Sequence, residues 1–182
     1  MTVTNQAHLE RQLEAYLVEI QTQFGPESLV NVTLDAVQAV GEIETKPLTV
    51  SKDPSQTNPK TLLSVLSHCY SVGLYNPIDI ETAIDEDPAV GYLAARRYPS
   101  AAILRRFRRE HRSVLRTALV ETFKRVWASA TLGLNPAQLG PSEWESALEA
   151  CTFSPSMIVQ FGRLADEHIL LAQLWDGPAL RD

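Results

Sequence analysis

The chain has 182 residues, of which 45% are hydrophobic and 21% are charged, so it can bury a core and is not a disordered polymer. Its formal net charge of −6 argues against a nucleic-acid partner unless the charge is unevenly spread. No signal-peptide pattern follows Met1, and no stretch approaches the roughly 20 uninterrupted apolar residues that a membrane helix needs. We therefore expect a cytoplasmic protein with no membrane partner.

The N-terminal region predicts an amphipathic helix. Apolar residues recur at helical spacing from Asn5 to Phe24, and Gly25-Pro26 then stops the helix. A second helix is expected from near Ser28, although its β-branched residues leave a strand open as the alternative. Residues 44–59 are dominated by polar residues and proline, which predicts a connector. We assign residues 1–58 to this N-terminal helical part and its connector.

A central segment, residues 59–135, is predicted to hold the core of the fold. A helix that begins at Pro59 or Lys60 and ends at Gly73 is apolar almost all round, as is typical of a buried helix. Two short helices follow, one over residues 78–85 and one from Asp87-Pro88 to about residue 96. No glycine or proline then occurs between Pro99 and Gly133, so we expect one long helix that begins near residue 100.

The long helix carries an apolar stripe and a basic face side by side. Leu104, Phe107 and Leu115 belong to the stripe, and we expect Phe107 to anchor the core. The basic side chains advance by three or four residues along an adjoining face, which we name the arginine face. Its members are Arg105, Arg108, Arg109, Arg112 and Arg116.

Residues 136–182 are expected to form a C-terminal helical extension. Ser142 and Glu145 have the spacing of a capping box for a short helix, and Ser154-Pro155 begins a last amphipathic helix that ends at Gly177-Pro178. The predicted class is therefore all-α, with a helix-turn-helix core between an N-terminal amphipathic helix and this extension. Both end segments are amphipathic, so a homodimer through the N- or the C-terminal helix is also expected.

The charge is concentrated in one place. From Arg96 to Arg125 the chain has ten basic and two acidic residues, a net of +8, whereas the other residues have six basic and twenty acidic ones, a net of −14. Short helices followed by an arginine-rich one are typical of a helix-turn-helix, and arginine binds both phosphates and guanine edges. We therefore predict contacts with double-stranded DNA. The predicted contact residues are Arg96, Arg97, Ser100, Arg105, Arg106, Arg108, Arg109, Arg112 and Arg116.

Two other interpretations of the basic segment stay open. One is a protein partner with an acidic surface, and the other is a solvated helix face without a partner, although such faces usually mix charges of both signs. Cys69 and Cys151 have no CxxC partner, so neither zinc nor a disulfide is indicated and we expect reduced, packed thiols. Asp85-Glu86-Asp87 before Pro88 is better explained as a helix start than as a metal site. We expect no cofactor.

Part of the chain resembles a known family. The segment from Lys60 to Phe123 is similar to the N-terminal domain of DDE insertion-sequence transposases (InsH-like), whose pattern is an apolar helix ending in Tyr-x-x-Gly, a short acidic helix, then Pro-x-Ser/Thr and a Leu-x-Arg-Phe-Arg core. The corresponding pieces are Leu62-Leu63-Ser64-Val65-Leu66, Tyr70-Ser71-Val72-Gly73, Ile80-Glu81-Thr82-Ala83-Ile84, and Pro99-Ser100-Ala101-Ala102-Ile103-Leu104-Arg105-Arg106-Phe107-Arg108-Arg109.

The resemblance implies a DNA-recognition module without the part that cuts DNA. Ala101 and Ala102 stand where family members usually have further small polar residues, and nothing after Trp127 resembles the family's catalytic core. Two-metal phosphoryl transfer needs carboxylates that converge on two ions, and the C-terminal acids lie on predicted helices. We therefore expect a DNA-binding protein that is not an enzyme. The alternative is a helical protein-interaction module whose arginine face binds an acidic partner.

Overall fold

The computed structural model describes residues 3–41 and 58–177. Every regular element in these two ranges is helical, so the predicted all-α class is confirmed, and the segment after Ser28 is a helix rather than a strand. The predicted connector falls mainly outside the described residues. The helices are α1 (Val3–Phe24), α2 (Glu27–Ala39), α3 (Pro59–Ser71), α4 (Pro77–Glu86), α5 (Pro88–Leu93), α6 (Ala101–Glu110), α7 (Arg112–Leu132), α8 (Pro141–Ala150) and α9 (Pro155–Leu174), with a 3-10 turn at Pro136–Gln138.

Five of the ten helical elements in the described residues begin with a polar residue followed directly by proline. The polar side chain accepts a hydrogen bond from an amide of the first turn, and proline needs no partner at the first helical position. Asp87 accepts from the amides of Ala89 and Val90, as predicted. The other residues that accept in this way are Asn58, Asn76, Ser100, Asn135 and Ser154, and of these only Ser100 is not followed by proline.

Helix α7 lies at the centre of the bundle. It packs against α1, α2, α3, α6, α8 and α9, and small residues such as Ala118, Ala128 and Ser129 are fully buried on it. The side chains of α3 are buried from Leu62 to Ser71, which agrees with its predicted central position. Phe107 is also fully buried, so its predicted place in the core is confirmed.

The prediction of one long helix from residue 100 is wrong, because the chain forms two helices there. The chain leaves α-helical geometry at His111, with φ of −121° and ψ of 32°, and α7 restarts at Arg112. The His111 ring packs on Phe107, with 4.7 Å between ring centroids.

The capping box predicted from Ser142 and Glu145 is also wrong. Helix α8 begins at Pro141 instead, and the carboxylate of Glu143 accepts from the amide of Gly140.

One hydrophobic core runs through all three predicted segments. Leu13 of α1, Leu66 of α3 and Phe161 of α9 belong to the same buried cluster. The predicted boundaries near residues 58 and 135 therefore do not separate independent cores, and the assignment of domains stays a prediction. Over residues 3–41 and 58–177, no helix has the length and hydropathy required to cross a bilayer.

Candidate nucleic-acid interface

Four members of the arginine face reach the surface along the junction of α6 and α7. Arg109 is exposed, and the side chains of Arg112 and Arg116 are 51% and 44% exposed. Arg105 is more covered, with 25% of its side chain exposed. We name this set the outer arginines. Arg105 and Arg109 belong to α6, Arg112 and Arg116 belong to α7, and the break at His111 lies between the two pairs.

The fifth member of the arginine face, Arg108, lies inside the protein. It is completely buried, and its guanidinium donates to the carboxylate of Asp176, to the hydroxyl of Tyr70 and to the carbonyl oxygen of Tyr75. Burial by itself lowers an arginine pKa, but the hydrogen bonds to Asp176 and Tyr70 raise the pKa of Arg108 above its ordinary value. The prediction that Arg108 contacts DNA is therefore corrected, because this side chain joins α6 to Tyr70 of α3 and to Asp176, which follows α9.

Two carboxylates of the C-terminal segment, those of Asp166 and Asp176, lie against the outer arginines. Asp166 of α9 has one oxygen 2.9 Å from Nε of Arg116 and the other 4.0 Å from Nη2 of Arg112. Asp176 lies 3.8 Å from Nε of Arg105 and also binds Arg108. The C-terminal segment therefore supplies an anion at each end of the arginine face, and part of the positive charge is neutralised within the chain.

Arg106 lies beside the outer arginines and pairs with Glu110 of the same helix, with Nε 2.8 Å from the carboxylate. Arg96 and Arg97 stand before α6 and are exposed. Neither of them, nor Arg109, forms an ion pair with the residues that the structure describes. An external anion can therefore bind these three cations without displacing a carboxylate of the described residues.

The beginning of α6 is already occupied by polar groups of the chain. Ser100 accepts from the amide of Ile103 at 3.5 Å, and the carboxylate of Glu81 accepts from the amide of Ala101 at 2.8 Å. A helix-turn-helix inserts this end of its recognition helix into the major groove. Ser100 therefore has a structural role as a cap, and Glu81 places a negative charge where a phosphate would approach.

The connection before α6 is longer than that of a standard helix-turn-helix. Seven residues, 94–100, separate α5 from α6, whereas the motif uses a turn of about three or four. Ala95 and Arg96 both have positive φ, at 51° and 57°, a conformation that non-glycine residues rarely adopt. The predicted helix-turn-helix core thus stays a prediction. The helices are present, but the turn differs.

His68 and Cys69 are neighbours on α3, and both side chains are buried. Burial lowers the pKa of His68 to about 4 and raises the pKa of the Cys69 thiol to about 12. Cys69 and Cys151 are free and buried, as expected. Within residues 3–41 and 58–177, histidine, cysteine, aspartate and glutamate side chains nowhere gather in a group of three or more that could hold a metal ion.

Sequence reasoning missed the acidic residues that shape this surface. Asp166 and Asp176 are distant in sequence from the arginines they approach, and both resembled solvated acids on a helix. Glu81 is 20 residues away from the Ala101 amide that it binds. The only sequence signal for these contacts was the opposite net charge of the basic segment and of the remaining residues.

A scan of protein-family models, a search of curated proteins and a search of solved structures all find no match to this chain.

Proposed function

We propose that the protein binds double-stranded DNA through the outer arginines and their neighbours. One observation carries the proposal, namely that the surface at the α6–α7 junction stays positive after its internal pairing. Five of the six arginines from Arg105 to Arg116 pair with three carboxylates, those of Glu110, Asp166 and Asp176. The six positive and three negative charges leave a net of +3 at this junction.

The exposure of these arginines supports contact with phosphates. The side chains of Arg109, Arg112 and Arg116 face solvent on either side of the α6–α7 break, and Arg112 and Arg116 lie on one face of α7 because they are four residues apart. Guanidinium groups placed in this way can bind neighbouring phosphates, and binding then releases the counterions condensed on DNA. The resemblance to transposase recognition domains supports the same partner, and its lack of a catalytic match after Trp127 supports binding without cleavage.

Salt dependence of duplex DNA affinity tests the proposal. If four arginines neutralise phosphates, the slope of log K against log salt should be about −4, because each phosphate contributes roughly −0.9. Arg109→Ala and Arg112→Ala should each reduce the slope by about one unit. Arg11→Ala removes the same charge from an exposed position on α1 and should leave the slope unchanged. Failure of the wild-type protein to bind duplex DNA at low salt would contradict the proposal.

A second candidate function is binding of an acidic protein, and it is supported by the carboxylates that pair with the arginine face. Carboxylates of the chain itself bind Arg105, Arg112 and Arg116, so an acidic protein surface could bind the same guanidinium groups. The probe for this function is a polyglutamate peptide. Binding of the peptide without duplex DNA binding, lost in Arg109→Ala and Arg112→Ala, would favour the protein-interaction module.

A further inference from the structure

Helix α9 presents a row of four residues to solvent on the side turned away from the core. Val159, Arg163, Glu167 and Leu171 are all exposed, and each lies four residues after the one before it. Residues four apart form a continuous ridge on a helix, and such ridges are the units that interlock when two helices pack. We name this row the outer ridge of α9.

The charges of the outer ridge have no partner among residues 3–41 and 58–177. Among the described residues, Arg163 and Glu167 form no ion pair and no side-chain hydrogen bond, although they are neighbours on one helix face. Arginine before glutamate is also the less favourable order for a pair within a helix. Neither group is therefore committed to a partner in the part of the chain that the structure describes.

Large apolar side chains surround the C-terminal end of the ridge. Leu170, Leu174 and Trp175 are 54%, 71% and 54% exposed, and Val159 at the other end is 57% exposed. A surface helix normally turns polar residues outward, and clustered apolar exposure marks an interaction surface. The outward side of α9 is thus apolar toward both ends and charged in the middle.

The order of residue types along the ridge is self-complementary. In chain direction it runs apolar, positive, negative, apolar, so an antiparallel copy places negative against positive and apolar against apolar at all four positions. We propose that α9 forms a homodimer by pairing its outer ridge with that of a second copy, across a two-fold axis level with Ala165. Arg163 then faces Glu167 of the partner subunit, and Val159 faces Leu171 of the partner subunit.

A second copy is the occupant that the charge order selects. A two-fold interface brings the same patch of both subunits together. Each residue of the patch must therefore be complementary to the residue that the two-fold axis places opposite it. The outer ridge satisfies this at two charged and two apolar positions, whereas an unrelated partner would place no such requirement on it. The proposal does not depend on DNA binding, because none of its residues belongs to the arginine face.

Sedimentation velocity of the full chain tests the oligomeric state. We expect a species of twice the 20.2 kDa chain mass that dissociates on dilution from about 100 µM, as expected of an interface with a micromolar Kd. Leu174→Ser should shift the equilibrium toward monomer, because it removes apolar area beside the ridge. A wild-type protein that is monomeric at about 100 µM would overturn the proposal.

Charge reversal tests the register. Arg163→Glu places two acidic pairs across the axis and Glu167→Arg places two basic pairs, so each variant alone should raise the dimer Kd by about tenfold or more. An equimolar mixture of the two variants restores opposite charges and should form a heterodimer, which a merely structural role of either residue would not produce. Glu145→Arg on α8 is the control and should leave the dimer unchanged. A dimer indifferent to both reversals, or variants that do not recombine, would overturn the proposed pairing.

Discussion

Nε of Arg116 lies 2.9 Å from a carboxylate oxygen of Asp166, so α9 places an anion on the surface that we propose for DNA. Both side chains are more than two-fifths exposed, and an exposed pair of this kind contributes at most about 1 kcal/mol to stability. A phosphate can therefore replace the carboxylate at modest cost. We therefore expect the ion pair to weaken the proposed contact with DNA without preventing it.

Asp166→Asn should strengthen duplex DNA binding. The change removes the carboxylate that competes for Arg112 and Arg116. An exposed ion pair contributes about 0.2 to 1 kcal/mol, and the loss of that competition corresponds to an increase of up to about fivefold in DNA affinity. Fluorescence anisotropy with labelled duplex would measure it. Glu149→Gln on α8 makes the same change of net charge at an exposed residue and should have a smaller effect. Equal effects of the two variants would mean that only the net charge matters.

Gly162→Ala tests the same ion pair without changing any charge. The guanidinium of Arg116 lies against α9 at Gly162, in the space that a Cβ atom would fill. Alanine should displace this flexible side chain from Asp166, so we expect DNA affinity to rise as it does in Asp166→Asn. Circular dichroism would confirm that α9 is intact, since alanine favours a helix over glycine by up to about 1 kcal/mol. Unchanged affinity in a folded variant would argue against competition at this position.

Arg108→Ala should destabilise the fold and Arg109→Ala should not, although the two residues are neighbours. Removal of Arg108 leaves Asp176 and the Tyr70 hydroxyl without their buried partner, which should lower the free energy of unfolding by about 3 kcal/mol or more. Arg109 is exposed, so its removal should change stability by less than about 0.5 kcal/mol. Urea unfolding measures both variants. Equal stabilities would place the Arg108 side chain at the surface.

The sequence predicted local features better than tertiary ones, and the arginine face illustrates why. Asp87-Pro88 and Ser154-Pro155 begin helices where expected, because a cap and a proline act within one turn of the chain. The break at His111 has no glycine or proline to announce it. The burial of Arg108 depends on Asp176, which is 68 residues further along the chain.

Phe107→Ala should destabilise the protein strongly. The ring is fully buried between α6 and the rest of the core, and removal of a buried phenylalanine costs about 3 to 5 kcal/mol through lost transfer free energy and the cavity that remains. Thermal melting measures the change. Tyr98→Ala removes an aromatic side chain that is 67% exposed and should melt close to the wild-type temperature. Similar midpoints for Phe107→Ala and the wild type would exclude a core position for the ring.

His68 should make the fold sensitive to mild acid. Its side chain is buried, its Nδ1 has no hydrogen-bond partner among the described residues, and burial lowers the pKa to about 4. In the unfolded chain the pKa of histidine is about 6.5, so below that pH the unfolded state binds a proton that the native state does not accept. Stability from this residue is therefore complete above about pH 6.5 and is lost as the pH falls toward 4.

Urea unfolding at about pH 7.5 and pH 5, for the wild type and for His68→Leu, measures this contribution. From the two pKa values of His68, the wild type should lose about 2 kcal/mol more than the variant between these pH values. Burial also lowers the pKa of His168, but that residue is present in both proteins, so its contribution cancels in the comparison. Equal losses in the two proteins would mean that His68 is protonated in the native state as readily as in the unfolded chain.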